Sequence, residues 1–195
     1  MNTPTYNAAQ RRRILRIARE GMAEALAGGQ REVDAGEDEG YLTESRGCFV
    51  TLHTRGGDLR GCIGTFAADG PLVETLVKMA GAVTRDPRFV TQPVTLAELD
   101  RLVIEVSVLT PLQPIDDPLG MRVGVDGIYI TADRMGSRVS GCFLPHVATE
   151  MGWDAEMMLS MCCAHKMGLD ADAWREPGDM TFSVFQTEII EEGVE

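Results

Sequence analysis

The sequence predicts an α+β fold, with a mainly antiparallel sheet and helices packed on it. Two segment pairs alternate apolar and polar residues around glycine turns, which is the pattern of β-hairpins. Between them, apolar residues recur at helical spacing. Strand and helix patterns are intermixed along the chain, with no internal repeat and no linker that would divide it into independent domains. At 195 residues the chain suits one domain, or two unequal lobes sharing a continuous core.

The first helix is predicted from about Tyr6 to Leu26. Ile14, Ala18, Met22 and Leu26 recur every four residues, and Leu15 and Ile17 widen the stripe. Arg12, Arg16 and Arg19 fall on another face and read as solvated surface, with phosphate contact the sharper alternative. Gly28 and Gly29 end the helix. Residues 28–46 are acidic and read as an exposed, mobile loop, since little in them is apolar enough to bury. "CFVTLHT" (48–54) and "LRGCIGTF" (59–66) then flank "RGGD", giving strand, turn and returning strand. With Gly56-Gly57 as a two-residue turn, Arg60 faces His53 and Cys62 faces Thr51. With Gly57-Asp58, Cys62 faces His53. Either register puts His53, Arg60 and Cys62 on one face, and a three-residue loop would break the arrangement.

Asp69-Gly70-Pro71 opens the next helix, in which Leu72, Leu76, Ala80 and Val83 face the sheet. In "TRDPRF" (84–89), Pro87 disfavours a helical Asp86 and stops it. "RLVIEVSVLTP" (101–111) is the strongest strand, alternating through Leu102, Ile104, Val106 and Val108. "GIYITADRMGSRVSGCFLP" (127–145) reads as a hairpin turning near Met135-Gly136. Pro145 opens a short helix. Asp154 caps a longer one, where Met158, Met161, Cys162 and His165 share a face and Gly168 is the stop. "MTFSVFQTEII" (180–190) closes the chain as a strand.

Composition narrows the function classes. A formal charge of −12 opposes general attraction to nucleic acid or anionic lipid. The start carries no secretory pattern, and no run approaches the roughly 20 apolar residues of a membrane span, so a cytoplasmic protein is expected. Five cysteines, an odd number without CxxC, point to reduced thiols. Dinucleotide, P-loop and zincin signatures are missing, and no paired ligands stand at zinc spacing, so no metal or cofactor is expected. "GCIG" resembles the GXXG of KH RNA-binding loops, but that loop joins helices and this one lies in a strand pattern.

Cys62 is the candidate nucleophile. A thiol gains reactivity from a neighbouring positive charge, which Arg60 on the same strand face could supply. Gly61 and Gly64 would let a substrate or a second backbone come close. The plainer account is a small buried thiol between packing glycines. His146, in the first turn of its helix, is a candidate base because the helix dipole disfavours its charged form. His165 and the methionines at 151, 157, 158, 161 and 167 read as structural, with a hydrophobic cleft the minor alternative for the latter. Arg85 and Arg88, around a rigid proline, suit capture of a carboxylate or phosphate, or surface salt bridges.

Four stretches in order, "LRGCIGTF", "RDPRF", "EVSVLTP" (105–111) and "LPHVATEMGW" (144–153), resemble the AMMECR domain family, also called AmmeMemoRadiSam system protein A. The resemblance spans about Ala8 to Ile190. It implies a single domain with a larger and a smaller lobe around a cleft, lined by the "LRGCIG" segment, with Arg60, Cys62, Gly64, Arg88 and the surroundings of Pro145 nearby. It also implies partnership with a Memo-like protein and a radical S-adenosylmethionine protein. Glutamine and an aliphatic residue are expected where His146 and Cys142 stand, so His146 would not be an obligatory base and would serve as a hydrogen-bond donor as glutamine does. The expected function is a cytoplasmic cleft protein in which Cys62 binds or covalently handles a small substrate. Arg60 would stabilise the thiolate or an anionic substrate group, Arg88 would position an acid, and Gly61, Gly64, Arg88 and Pro145 would contact the substrate. The alternatives are a non-catalytic adaptor whose cleft docks a partner protein or peptide, and an RNA-binding accessory protein.

Overall fold

The alternating segments form two four-stranded sheets, one in each of two units of the chain. The structure is a computed structural model that describes residues 5–29, 39–66, 69–134, 136–176 and 178–193. The larger unit is drawn from Pro4–Leu109 and Glu188–Glu195, the smaller from Thr110–Thr187.

In the larger unit, β1 (Cys48–Thr54), β2 (Leu59–Thr65), β3 (Leu102–Leu109) and β8 (Thr187–Glu191) take the order β2-β1-β3-β8. Cys48, Val50 and Leu52 stand opposite Val108, Val106 and Ile104, and all six are fully buried. Each of the five aliphatic side chains contributes about 1.5–3 kcal/mol. Their face is covered by α1 (Ala8–Leu26) and α3 (Leu72–Val83). The apolar stripes place those helices as expected: Ile14, Ala18 and Met22 of α1, and Leu72, Leu76, Ala80 and Val83 of α3, are buried. Helix α1 starts at Ala8 because Asn7 and Gln10 form a reciprocal capping box.

Arg19 leaves the solvated role expected of it. Its guanidinium bonds Glu192 and the carbonyls of Leu99 and Leu102, tying α1 to the chain around β3 and to the C-terminal end of β8. Part of the segment expected to be an acidic loop is helical. Gly40–Thr43 form the short helix α2, and Leu42 is fully buried, whereas residues 30–38 lie outside the described residues. Leu96–Leu99 form α4.

In the smaller unit, β4 (Gln113–Ile115), β5 (Gly127–Arg134), β6 (Ser137–Phe143) and β7 (Thr181–Phe185) take the order β4-β7-β5-β6. Arg134 opposes Ser137, so the hairpin reverses between those two residues, as expected. Its core gathers Ile128, Ile130, Met158, Leu159, Cys162, Cys163, Trp174, Phe182 and Val184. Helices α5 (Pro145–Met151) and α6 (Ala155–Met161) begin at Pro145 and at the Asp154 cap. Past Cys162 the helix widens into a π-turn, Cys162–Lys166, which carries His165 off the buried face and into solvent. Of the clustered methionines, Met158 and Met167 are core while Met151 and Met157 are exposed.

The closing strand is two strands. Phe185 ends β7 in one sheet and Thr187 starts β8 in the other. Between them Gln186 donates its N–H to Thr110 Oγ1 (2.8 Å), accepts from the Thr110 N–H (2.9 Å), and donates its side-chain amide to Asp126 (3.1 Å). Buried hydrogen bonds thus fix the residue at which the chain changes sheets. Each unit has its own cluster of buried apolar residues.

Candidate functional site

The "RGGD" turn is a three-residue loop. Thr54 donates to the Asp58 carbonyl (2.9 Å), and Gly57 adopts a φ of +90° that other residues rarely tolerate. That loop shifts the register, pairing His53 with Leu59. A bulge between Leu52 and His53 then restores it, so Leu52 opposes Gly61 and Thr51 opposes Cys62. Arg60 sits in the bulge with no residue opposite, and the predicted row of His53, Arg60 and Cys62 is not formed. Cys62 stands opposite Thr51, as one of the two expected registers has it, and the Thr51 hydroxyl donates to Sγ at 3.3 Å.

The Arg60 guanidinium is engaged elsewhere. It donates to both Glu98 carboxylate oxygens (2.7 and 3.1 Å) and to the Gln92 carbonyl (2.7 Å), with its centre 5.6 Å from the Phe89 ring centroid. Its Nη1 is buried without a partner among the described residues. Arg60→Met is expected to cost about 1 kcal/mol, the scale of a part-exposed ion pair. It should leave the iodoacetamide reaction of Cys62 unchanged, as timed labelling with peptide mass analysis would check.

Arg88 takes the position expected of Arg60. Strand β2 lies at the sheet edge, where unpaired backbone groups need cover. The Cys62 N–H donates to Asp86 Oδ2 (2.9 Å), and the Cys62 carbonyl accepts from Arg88 Nη2 (2.9 Å). Asp86 also accepts from the Arg88 N–H (2.9 Å), Nε (3.1 Å) and Nη2 (2.6 Å). Pro87 makes this local: Asp86 is held extended, with its side chain capping the 3-10 turn Pro87–Phe89. The pair thereby substitutes for a neighbouring strand along one peptide of β2.

Asp86 is 3% exposed, and its carboxyl is held down to about 2, first by the Arg88 hydrogen bonds and against the effect of burial. Arg88 is raised above its ordinary value, chiefly by Asp86, with the Cys62 side chain adding in the same direction. The flanking glycines have separate reasons. A Cβ at Gly61 would stand 3.1 Å from the Val83 carbonyl and 3.7 Å from Asp86 Cβ, so the missing side chain lets the end of α3 approach β2. At Gly64 the Phe49 ring lies across its cross-strand partner.

Pro145 and His146 belong to the smaller unit. Pro145 occupies the first position of α5, as predicted, and His146 Nδ1 is buried without a partner among the described residues. Cys142 is half-buried on β6, while Cys48, Cys162 and Cys163 are buried. Burial pushes the Cys48 thiol up to about 12. Among the described residues, no three His, Cys, Asp or Glu side chains gather as a metal-ligand set, and no helix is long and apolar enough to cross a membrane.

Sequence reasoning missed Asp86 and Glu98, the two carboxylates that decide what the arginines do. Asp86 carried a signal, an Asp before proline suited to cap a turn. Glu98 carried none.

Fold and site together define a class: a two-unit α+β protein with one cysteine peptide clamped at a sheet edge by an Asp-Pro-Arg turn. Within that class the chain belongs to the AMMECR1 family, whose model matches residues 15–190. It is 40% identical over 188 residues to a protein of Methanothermobacter thermautotrophicus, covering 93% of each chain. It is 38% identical over 189 residues to protein PH0010 of Pyrococcus horikoshii, covering 92% of this chain and 88% of that one. The crystal structure of that uncharacterised protein matches with a TM-score of 0.82 at 37% identity, over 96% of this chain and 93% of that one.

Proposed function

We propose that this protein binds a small substrate at Cys62 and handles it through the thiol. It would act in the cytoplasm with a Memo-like and a radical S-adenosylmethionine protein, as the family resemblance implies. One observation carries the reading. The Cys62 peptide is held on both sides, by Asp86 and Arg88, while its side chain stays only partly buried and receives the Thr51 hydroxyl. The clamp covers the edge of β2 whatever side chain it carries, but it also fixes the direction of a part-exposed thiol, and a reactive thiol needs access, a fixed direction and a nearby cation. The chemistry open to it is addition to an electrophilic carbon such as a carbonyl. The S–C bond forms, the C=O π bond breaks, and the thiol proton ends on the oxygen.

Iodoacetamide near neutral pH tests the reading. Cys62 is expected to react at least about tenfold faster than a free peptide thiol; a rate no faster sinks the nucleophile. Cys62→Ser should abolish turnover in a reconstituted three-protein mixture, and preserved turnover would favour the adaptor reading.

A further inference from the structure

Within the proposed site, Asp86 both covers the edge of β2 and holds Arg88. Asp86 accepts four N–H donors, one from Cys62 and three from Arg88. Arginine offers five side-chain N–H donors in a rigid fork. Nε and one hydrogen of Nη2 go to Asp86, and the other Nη2 hydrogen goes to the Cys62 carbonyl. Nη1 is engaged by neither Asp86 nor the Cys62 carbonyl, and the side chain is 53% exposed. Asp86 is sealed behind it at 1% side-chain exposure. Carboxylate and guanidinium thus form a fixed mount with one free edge beside the Cys62 peptide.

We infer that Asp86 is a positioning residue for a small anionic substrate, holding Arg88 so that Nη1 receives the substrate's carboxylate or phosphate group while Cys62 Sγ meets its electrophilic part. The inference rests on the reading of Cys62 above and adds to it the substrate class and the residue that orients the cation. Gly61 lies against the same turn: a Cβ there would crowd Val83 at 3.1 Å and make an ordinary contact with Asp86 Cβ at 3.7 Å. Lysine at position 88 would keep the charge but lose the fork that grips carboxylate and carbonyl together.

Two alkylating reagents separate orientation of charge from reactivity. Iodoacetate is an anion and iodoacetamide is neutral. With both, the S–C bond forms, the C–I bond breaks, iodide leaves and the thiol proton goes to buffer. Their rate ratio at Cys62, measured on full-length protein by peptide mass analysis, therefore reports the poised cation and cancels thiol ionisation and general access. The wild-type ratio should exceed that of glutathione about fivefold, the scale of a near-surface charge pair. Arg88→Ala and Asp86→Asn should each bring it to the glutathione value, and the double variant no further. In wild type alone, inorganic phosphate should slow iodoacetate more than chloride does at equal ionic strength, which needs no folded variant. A wild-type ratio equal to that of glutathione, or one kept in Asp86→Asn but lost in Arg88→Ala, overturns the inference and leaves a fast iodoacetamide reaction standing. Slow reaction with both reagents removes the underlying reading of Cys62.

Discussion

Gly64→Ala is expected to destabilise the larger unit by about 3 kcal/mol, the upper end of what overpacking costs. A Cβ at this position would stand 2.2 Å from Cγ and Cδ1 of Phe49 and 2.7 Å from the Cys48 carbonyl oxygen. The first contact involves the half-buried Phe49 ring, which would have to shift out of its edge-on packing against Phe66, centroids 5.3 Å apart. The second involves backbone inside the β1–β2 ladder and has no soft response. An aromatic laid over a strand glycine is a recognised way of covering the gap that glycine leaves. Removing the ring should therefore restore part of the loss. In Phe49→Ala/Gly64→Ala the second substitution should cost about half as much as in the native background, since only the carbonyl clash remains. Urea unfolding of the four proteins measures this. A Gly64→Ala cost below about 1 kcal/mol, in the range of ordinary surface changes, would show that the ring does not hold its place.

Asp86→Ala carries the second large effect, also about 3 kcal/mol near neutral pH, because it strands a Cys62 N–H and removes the partner of Arg88. Asp86→Asn keeps an acceptor and isolates the charge. The Asp86 carboxyl is lowered from 3.8 to about 2, first by hydrogen bonding to Arg88. A depressed carboxyl stabilises the fold above its ordinary value and loses that contribution as pH falls through the folded value. The charge is thus worth about 2 kcal/mol at neutral pH, lost progressively between about pH 4 and pH 2. Unfolding free energies at neutral pH and through the acid range should show wild type and Asp86→Asn converging. Parallel curves would mean that the ion pair contributes nothing to folding.

The two predictions meet in the motif that sequence reasoning could mark but not interpret. "LRGCIGTF" was legible as a strand, and β2 spans Leu59–Thr65. Alternation suffices for that, since period-two patterning separates the buried and open faces. The same reading took Arg60 as the neighbour of Cys62, because residues two apart share a face in a regular strand. The bulge removes that regularity, and nothing in the side-chain pattern announces it. A three-residue loop followed by one extra residue leaves Thr51 opposite Cys62, as a two-residue turn would, so the pairing expected of Gly56-Gly57 arises by another route.

Residue order alone decided the α+β class, the buried stripes of α1 and α3, the two hairpins and the family, because each depends on local periodicity and short motifs. Three matters waited for long-range contact. These were the transfer of the chain between sheets at Gln186, the loss of Arg60 to Glu98, and the mounting of Arg88 on Asp86 beside Cys62. Each turns on which carboxylate, hydroxyl or carbonyl a polar side chain meets, and that partner can lie 24, 38 or 76 positions away along the chain. Periodicity reports which face a residue presents to the core, but a hydrogen bond of 2.7 Å needs the angle and distance that only packed elements set.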